Sequence, residues 1–121
     1  MPILDIQIVL RPGEAVPANL AAALAEAAAK VLHSPPASCW VKVSFLAERH
    51  YAEAGSPGGV HPVFVDVLKD WRPPPAELAA EASALARAFA GIVGQPAENI
   101  HILYLESAAG RIAFGGRVGS E

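Results

Sequence analysis

Pro2-Ile3-Leu4-Asp5-Ile6-Gln7-Ile8-Val9-Leu10 stands directly behind Met1, and sixty residues later Pro62-Val63-Phe64-Val65-Asp66-Val67-Leu68 opens a second apolar run of the same kind. Both read as strands that start on a proline. The same offset separates Pro36 from Pro96. Pro36 precedes Trp40-Val41-Lys42-Val43-Ser44-Phe45-Leu46, and Pro96 precedes Ile100-His101-Ile102-Leu103-Tyr104-Leu105. Arg11-Pro12 and Arg72-Pro73 end the first strand of each half, one residue out of step. The chain is therefore expected to be a single domain over 1–121, made of two pseudo-repeats, about 1–55 and about 60–121. The Gly/Pro/Ser-rich segment Glu53-Ala54-Gly55-Ser56-Pro57-Gly58-Gly59 is the seam between them.

Each half places an alanine-rich helix between its two strands. From about Pro17 to Leu32, Leu20, Leu24 and Val31 recur at near-helical spacing while Asn19, Glu26 and Lys30 take another side. In the second half, Pro75 suits a first turn and Leu78, Leu85, Phe89 and Ile92 form the apolar stripe. Glu77 and Glu81 lie early, where the helix dipole favours acids, and Gly94 is a natural stop. Strand, helix, strand requires a right-handed crossover, so the strands within each half are expected to be parallel. Two such units make an α+β fold with a four-stranded sheet and two helices on one face. Ala109-Gly110-Arg111-Ile112-Ala113-Phe114-Gly115-Gly116-Arg117-Val118 closes the chain as a short hairpin. The sheet face without helices is expected to carry many of Val, Ile, Leu and Phe and to seek a partner, so self-association is expected.

The 121 residues are 53% hydrophobic and 17% charged, the balance of a packed protein. A net charge of −3 gives no basic footprint for nucleic acid. The alanine-rich stretches are interrupted by Asn19, Glu26, Lys30, Glu77, Glu81 and Arg87, short of the roughly 20 apolar residues of a membrane span. No basic stretch followed by an apolar core opens the chain, so a cytoplasmic location is expected. The lone Cys39 has no internal disulfide partner, and no Cys/His spacing matches a metal site. His50, His61 and His101 read as surface or capping residues.

The chemistry starts at Pro2. If Met1 is trimmed, the chain begins with a secondary amine, and α-amino groups titrate at about 7.7–8.0. Cationic neighbours or desolvation lower that further, which makes Pro2 a candidate base. Pro62 is internal, so its nitrogen is an amide and the matching pocket of the second unit is expected to lack this chemistry.

With Pro2 behind Met1, two β-α-β units, and Phe114-Gly115-Gly116 in the closing element, nearly the whole chain resembles the tautomerase superfamily. That superfamily includes 4-oxalocrotonate tautomerase and the macrophage migration inhibitory factor-like proteins. The resemblance is to members with two fused units. It implies a homotrimeric isomerase that needs no cofactor and moves a proton on a small enolisable 2-oxo or 2-hydroxydienoate acid, with Pro2 as general base. It implies substrate-binding arginines at Arg72, ten residues after Pro62, and at Arg11, displaced by one from the matching place after Pro2. Tyr51 and Phe114 match the aromatic wall, and Trp40 is expected to add to it at the substrate. Trp40 falls where the family has a second arginine, with Lys42 two residues later, a departure that disfavours a dicarboxylate held between two arginines. Two alternatives stay open within the same fold: hydration chemistry of the dehalogenase or decarboxylase type with a protonated Pro2, and a non-catalytic trimeric binding protein.

Overall fold

A computed structural model describes residues 2–35 and 37–118. Met1, Pro36 and residues 119–121 lie outside the described residues, and with them the expected proline lead-in at Pro36. The chain runs β1 (Ile3–Leu10), α1 (Leu20–Val31), β2 (Trp40–Ala47), a 3-10 turn at Glu48–His50, β3 (Val63–Leu68) and α2 (Pro75–Val93). A second 3-10 turn at Ala97–Asn99, β4 (Ile100–Tyr104), β5 (Ala113–Phe114) and β6 (Arg117–Val118) follow. The four long strands form one sheet in the order β2-β1-β3-β4, and β5-β6 is a separate hairpin. β1 is parallel to β2 and β3 to β4, as the crossovers require. The halves meet antiparallel along β1 and β3. This is the α+β architecture expected from the duplicated layout. α1 starts at Leu20 and not near Pro17, because Pro17 to Leu20 is spent on a turn closed by the Leu20 N–H on the Pro17 carbonyl, 3.2 Å.

Side chains alternate across a strand, so each strand divides its residues between two faces. Leu4, Ile6 and Ile8 of β1 and Val63, Val65 and Val67 of β3 lie in one buried cluster with Leu20, Leu24 and Ala28 of α1 and Leu85 and Phe89 of α2. Both halves thus contribute to the same core. The opposite face carries the apolar residues expected of it, interleaved with polar ones. Ile3, Val9, Trp40, Leu46, Phe64, Leu68 and Leu103 share it with Asp5, Gln7, Lys42, Ser44, Asp66 and His101. Asp5 and Lys42 form an ion pair there at 3.4 Å. The valines, which carry most of the apolar count of β3, all turn to the helices.

The ends of α2 follow their sequence signals. Pro75 is in the first turn, and Gly94 closes the helix at φ +74°, its N–H donating to the Ala90 carbonyl at 3.0 Å. A Cβ at Gly94 would meet nothing within 4 Å, so a substitution there costs backbone strain alone. Gly94→Ala is expected to lower unfolding stability by about 1 kcal/mol, read from the urea midpoint. α1 ends differently. His33 and Ala37, neither of them glycine, sit at φ +53° and +68° and bracket the loop that leads to β2. Such left-handed residues persist only where the surroundings fix them.

Candidate active site

Pro2 is buried at the head of β1, and its carbonyl accepts the Trp40 N–H at 3.0 Å. It lies on a cleft of about 710 Å³ between the end of α1 with its loop, the end of β3 and the first turns of α2. The antiparallel ladder explains what shares the cleft with it. Ile3 pairs with Leu68 at the end of the ladder, and one residue beyond it on each strand stand Pro2 and Lys69, which both line the cleft. Lys69 has the same parity as Val63, Val65 and Val67 and therefore turns toward the helices. Its Nζ donates to Glu81 Oε1 at 3.1 Å and to Oε2 at 3.4 Å, and Tyr104 Oη donates to the same Oε2 at 2.6 Å. Burial first, and then the Glu81 carboxylate, push the Tyr104 hydroxyl far above its usual range, so it remains a donor.

The cleft wall also carries Lys30, His33, Asp70 and Glu77, with Val31, Pro35, Trp71, Ala80 and Ala84 as its apolar part. Among the described residues no group of three or more His, Cys, Asp or Glu is arranged to hold a metal. With Met1 removed, Pro2 would present an amine to this cleft, with a cation on the same cleft and an apolar wall that weakens solvation. Those are the requirements for moving a proton next to a carbonyl and stabilising the negative charge that results.

No protein family matches the sequence, and no curated protein does. Solved structures do match. The chain is similar to macrophage migration inhibitory factor from Trichinella spiralis, 13% identical, over 97% of this chain and 99% of that one, with a TM-score of 0.75. It is similar to a fused 4-OT in a symmetric trimer, 19% identical over 98% and 95%, TM-score 0.79. It is also similar to FG41 malonate semialdehyde decarboxylase, 17% identical over 93% and 88%, TM-score 0.70. The chain has the tautomerase fold.

Within this tautomerase fold a single chain separates several residues that the sequence groups around Pro2. Arg72 is exposed and does not line the cleft, although Trp71 and Pro73 on either side of it do. Arg11 lies past the far end of β1. There its Nη2 donates to the Gly94 carbonyl at 3.1 Å and its Nη1 pairs with Glu14 at 3.6 Å, a cation at the C-terminus of α2. Tyr51 Oη donates to Glu53 at 2.5 Å and its ring tilts on Phe64, which pairs with Gln7, five residues along β1 from Pro2. Trp40 and Phe114 meet edge to face, ring centroids 5.3 Å apart, and the Trp40 indole N–H donates to the Ala37 carbonyl at 3.1 Å. Trp40 touches Pro2 through its backbone, while its ring belongs to the open face.

The sequence reading missed Lys69 and Tyr104 and took Glu81 only as a helix-dipole residue. A signal was there. Each is a polar residue at an inward position: Lys69 after Val63, Val65 and Val67, Tyr104 after Ile100 and Ile102, and Glu81 between Leu78 and Leu85 on the α2 stripe.

A cavity of about 220 Å³ at the opposite end of β1 is the duplicate of the Pro2 cleft. Shifted by sixty residues, Val31 to Ser34 become Gly91 to Gly94, and Asp70, Glu77 and Ala80 become Leu10, Pro17 and Leu20, all of which line it. Pro62, the counterpart of Pro2, does not line this cavity; it is buried, with its carbonyl accepting the Val9 N–H at 3.1 Å. That pocket has no amine.

Proposed function

We propose that the chain, once Met1 is removed, is a cofactor-free tautomerase acting on a small enolisable 2-oxo or 2-hydroxydienoate acid. The observation that carries this reading is the position of Pro2 on the large cleft with Lys69, one step beyond the end of the β1–β3 ladder, on the same cleft. The neutral Pro2 nitrogen takes a proton α to the carbonyl, and the electron pair of the broken C–H bond moves toward the carbonyl oxygen. The protonated amine then returns the proton at the far end of the conjugated system. Lys69 favours the neutral amine and the enolate charge alike. Lys30, at the cleft mouth, is placed to hold a carboxylate.

The chain works as a homotrimer in this reading, in line with the trimeric fused 4-OT structures it is similar to. A trimer makes Arg11, Arg72, Tyr51, Trp40 and Phe114 available to the Pro2 cleft from a neighbouring copy. No helix among the described residues is long and apolar enough to cross a membrane.

A second reading has its own observation. Asp70 and Glu77 put carboxylates on the same cleft, suited to handling water beside a protonated Pro2 in decarboxylase or hydratase chemistry. The amine's pKa separates the readings, since a value well below 7 suits a base and one well above suits an acid. Intact mass before and after treatment with a 3-halopropiolate tests the proposal itself. Loss of Met1 and one adduct mapped to Pro2 are expected. Retention of Met1 leaves an amide at Pro2 and refutes it.

A further inference from the structure

Lys69, Glu81 and Tyr104 come from three elements and meet where each presents an apolar side to the core. The Lys69 and Glu81 side chains are only 16% and 14% exposed. Removing two ions from water costs about as much as their contact returns unless the remaining donors and acceptors are met, and apolar residues of similar volume often hold a fold as well or better. Here Lys69 reaches both carboxylate oxygens and Tyr104 covers one of them. The charges answer to what they border, which is the Pro2 cleft.

We propose that Lys69 and Glu81 are an opposed charge pair that sets the protonation of the Pro2 amine, with Tyr104 as the positioning residue that keeps Glu81 turned to Lys69. The inference rests on Pro2 being the free chain terminus. An ammonium beside the amine disfavours its protonated form, and a carboxylate favours it. Lys69 acts from one step beyond the end of the ladder, while Glu81 reaches the cleft from α2 and limits that effect. The other titratable groups facing the cleft are Lys30 and His33 from the end of α1, Asp70 after β3 and Glu77 on α2. Cys39, ahead of β2, is buried, which pushes its thiol up and keeps it neutral. All of these stay constant when only the pair is changed.

The test is a titration of Pro2 itself by NMR on protein labelled with 15N-proline, after intact mass has established whether Met1 is lost. Glu81→Gln is expected to lower the Pro2 pKa by about one unit and Lys69→Gln to raise it by about one unit. The double variant falls back to within about half a unit of the parent. Tyr104→Phe shifts it in the same sense as Glu81→Gln and less than half as far. Glu81→Gln keeps the size of the native residue and one acceptor oxygen, and Tyr104→Phe keeps the ring, so both are expected to hold the fold, and the amide spectrum checks each. Equal shifts of one sign in Glu81→Gln and Lys69→Gln, or none in either, overturn the role of the pair and leave Pro2 a base. A retained Met1, or a Pro2 that does not titrate in the parent, overturns both.

Discussion

Pro2→Ala is expected to lower kcat/KM for an enolisable 2-oxo acid such as phenylenolpyruvate by about 10²–10⁴-fold, the span a well-placed general base contributes. The variant still begins with an α-amine, of ordinary pKa about 7.7–8.0. What it loses is the ring that fixes the nitrogen's direction at the head of β1, where the Pro2 carbonyl is held by the Trp40 N–H at 3.0 Å. The loss therefore measures placement more than basicity. The pH dependence has a definite sign. A base must be unprotonated, so kcat/KM of the parent falls about tenfold per unit below the amine's pKa and levels off above it. Lys69 in the same cleft moves that limb toward lower pH. Initial rates followed by loss of enol absorbance across pH 5 to 9 read both effects, and a Pro2→Ala rate equal to the parent's would show that the nitrogen takes no part.

Much of this architecture was legible because the sequence repeats itself. The sixty-residue offset from Pro2 to Pro62 is enough to give two β-α-β units, and the crossover rule then gives the parallel pairs β1·β2 and β3·β4. Counting along the chain does not say which residues share the Pro2 cleft within one chain. Arg72 follows Pro62 by ten residues, yet β3 ends at Leu68 and the chain turns toward Pro75, which leaves Arg72 outside the cleft and Lys69 on it. The antiparallel register of β1 against β3 decides which residue shares the cleft with Pro2, and nothing local in either strand states that register. Arg11 shows the same limit from the other side, since a strand of eight residues carries it to the opposite end of the sheet from Pro2. The open face was legible in part. Its polar members, Asp5, Gln7, Lys42, Ser44 and Asp66, share alternate strand positions with Ile3, Val9, Trp40, Leu46, Phe64 and Leu68, so the period of two makes the face mixed and not uniformly apolar.

Phe89→Ala is expected to cost about 3–5 kcal/mol, the range for deleting a buried ring in a core that relaxes only partly. Phe89 has no exposed surface and sits on α2 in the cluster that joins both halves. For a chain of 121 residues the whole unfolding free energy is on the order of 6–18 kcal/mol, so one ring accounts for a large share of it. Leu85, Phe89 and Glu81 lie along one side of α2 at helical spacing, and loosening the helix also releases Glu81 from Lys69 and Tyr104. A fall in the urea midpoint at constant slope reads the loss. Leu103→Ala is the informative comparison, because Leu103 is 60% exposed on the open face of the sheet. In a lone chain that change stays within about 0.5 kcal/mol. A larger cost that grows with protein concentration would mean that a second copy covers Leu103, since only association makes stability depend on the amount of protein present.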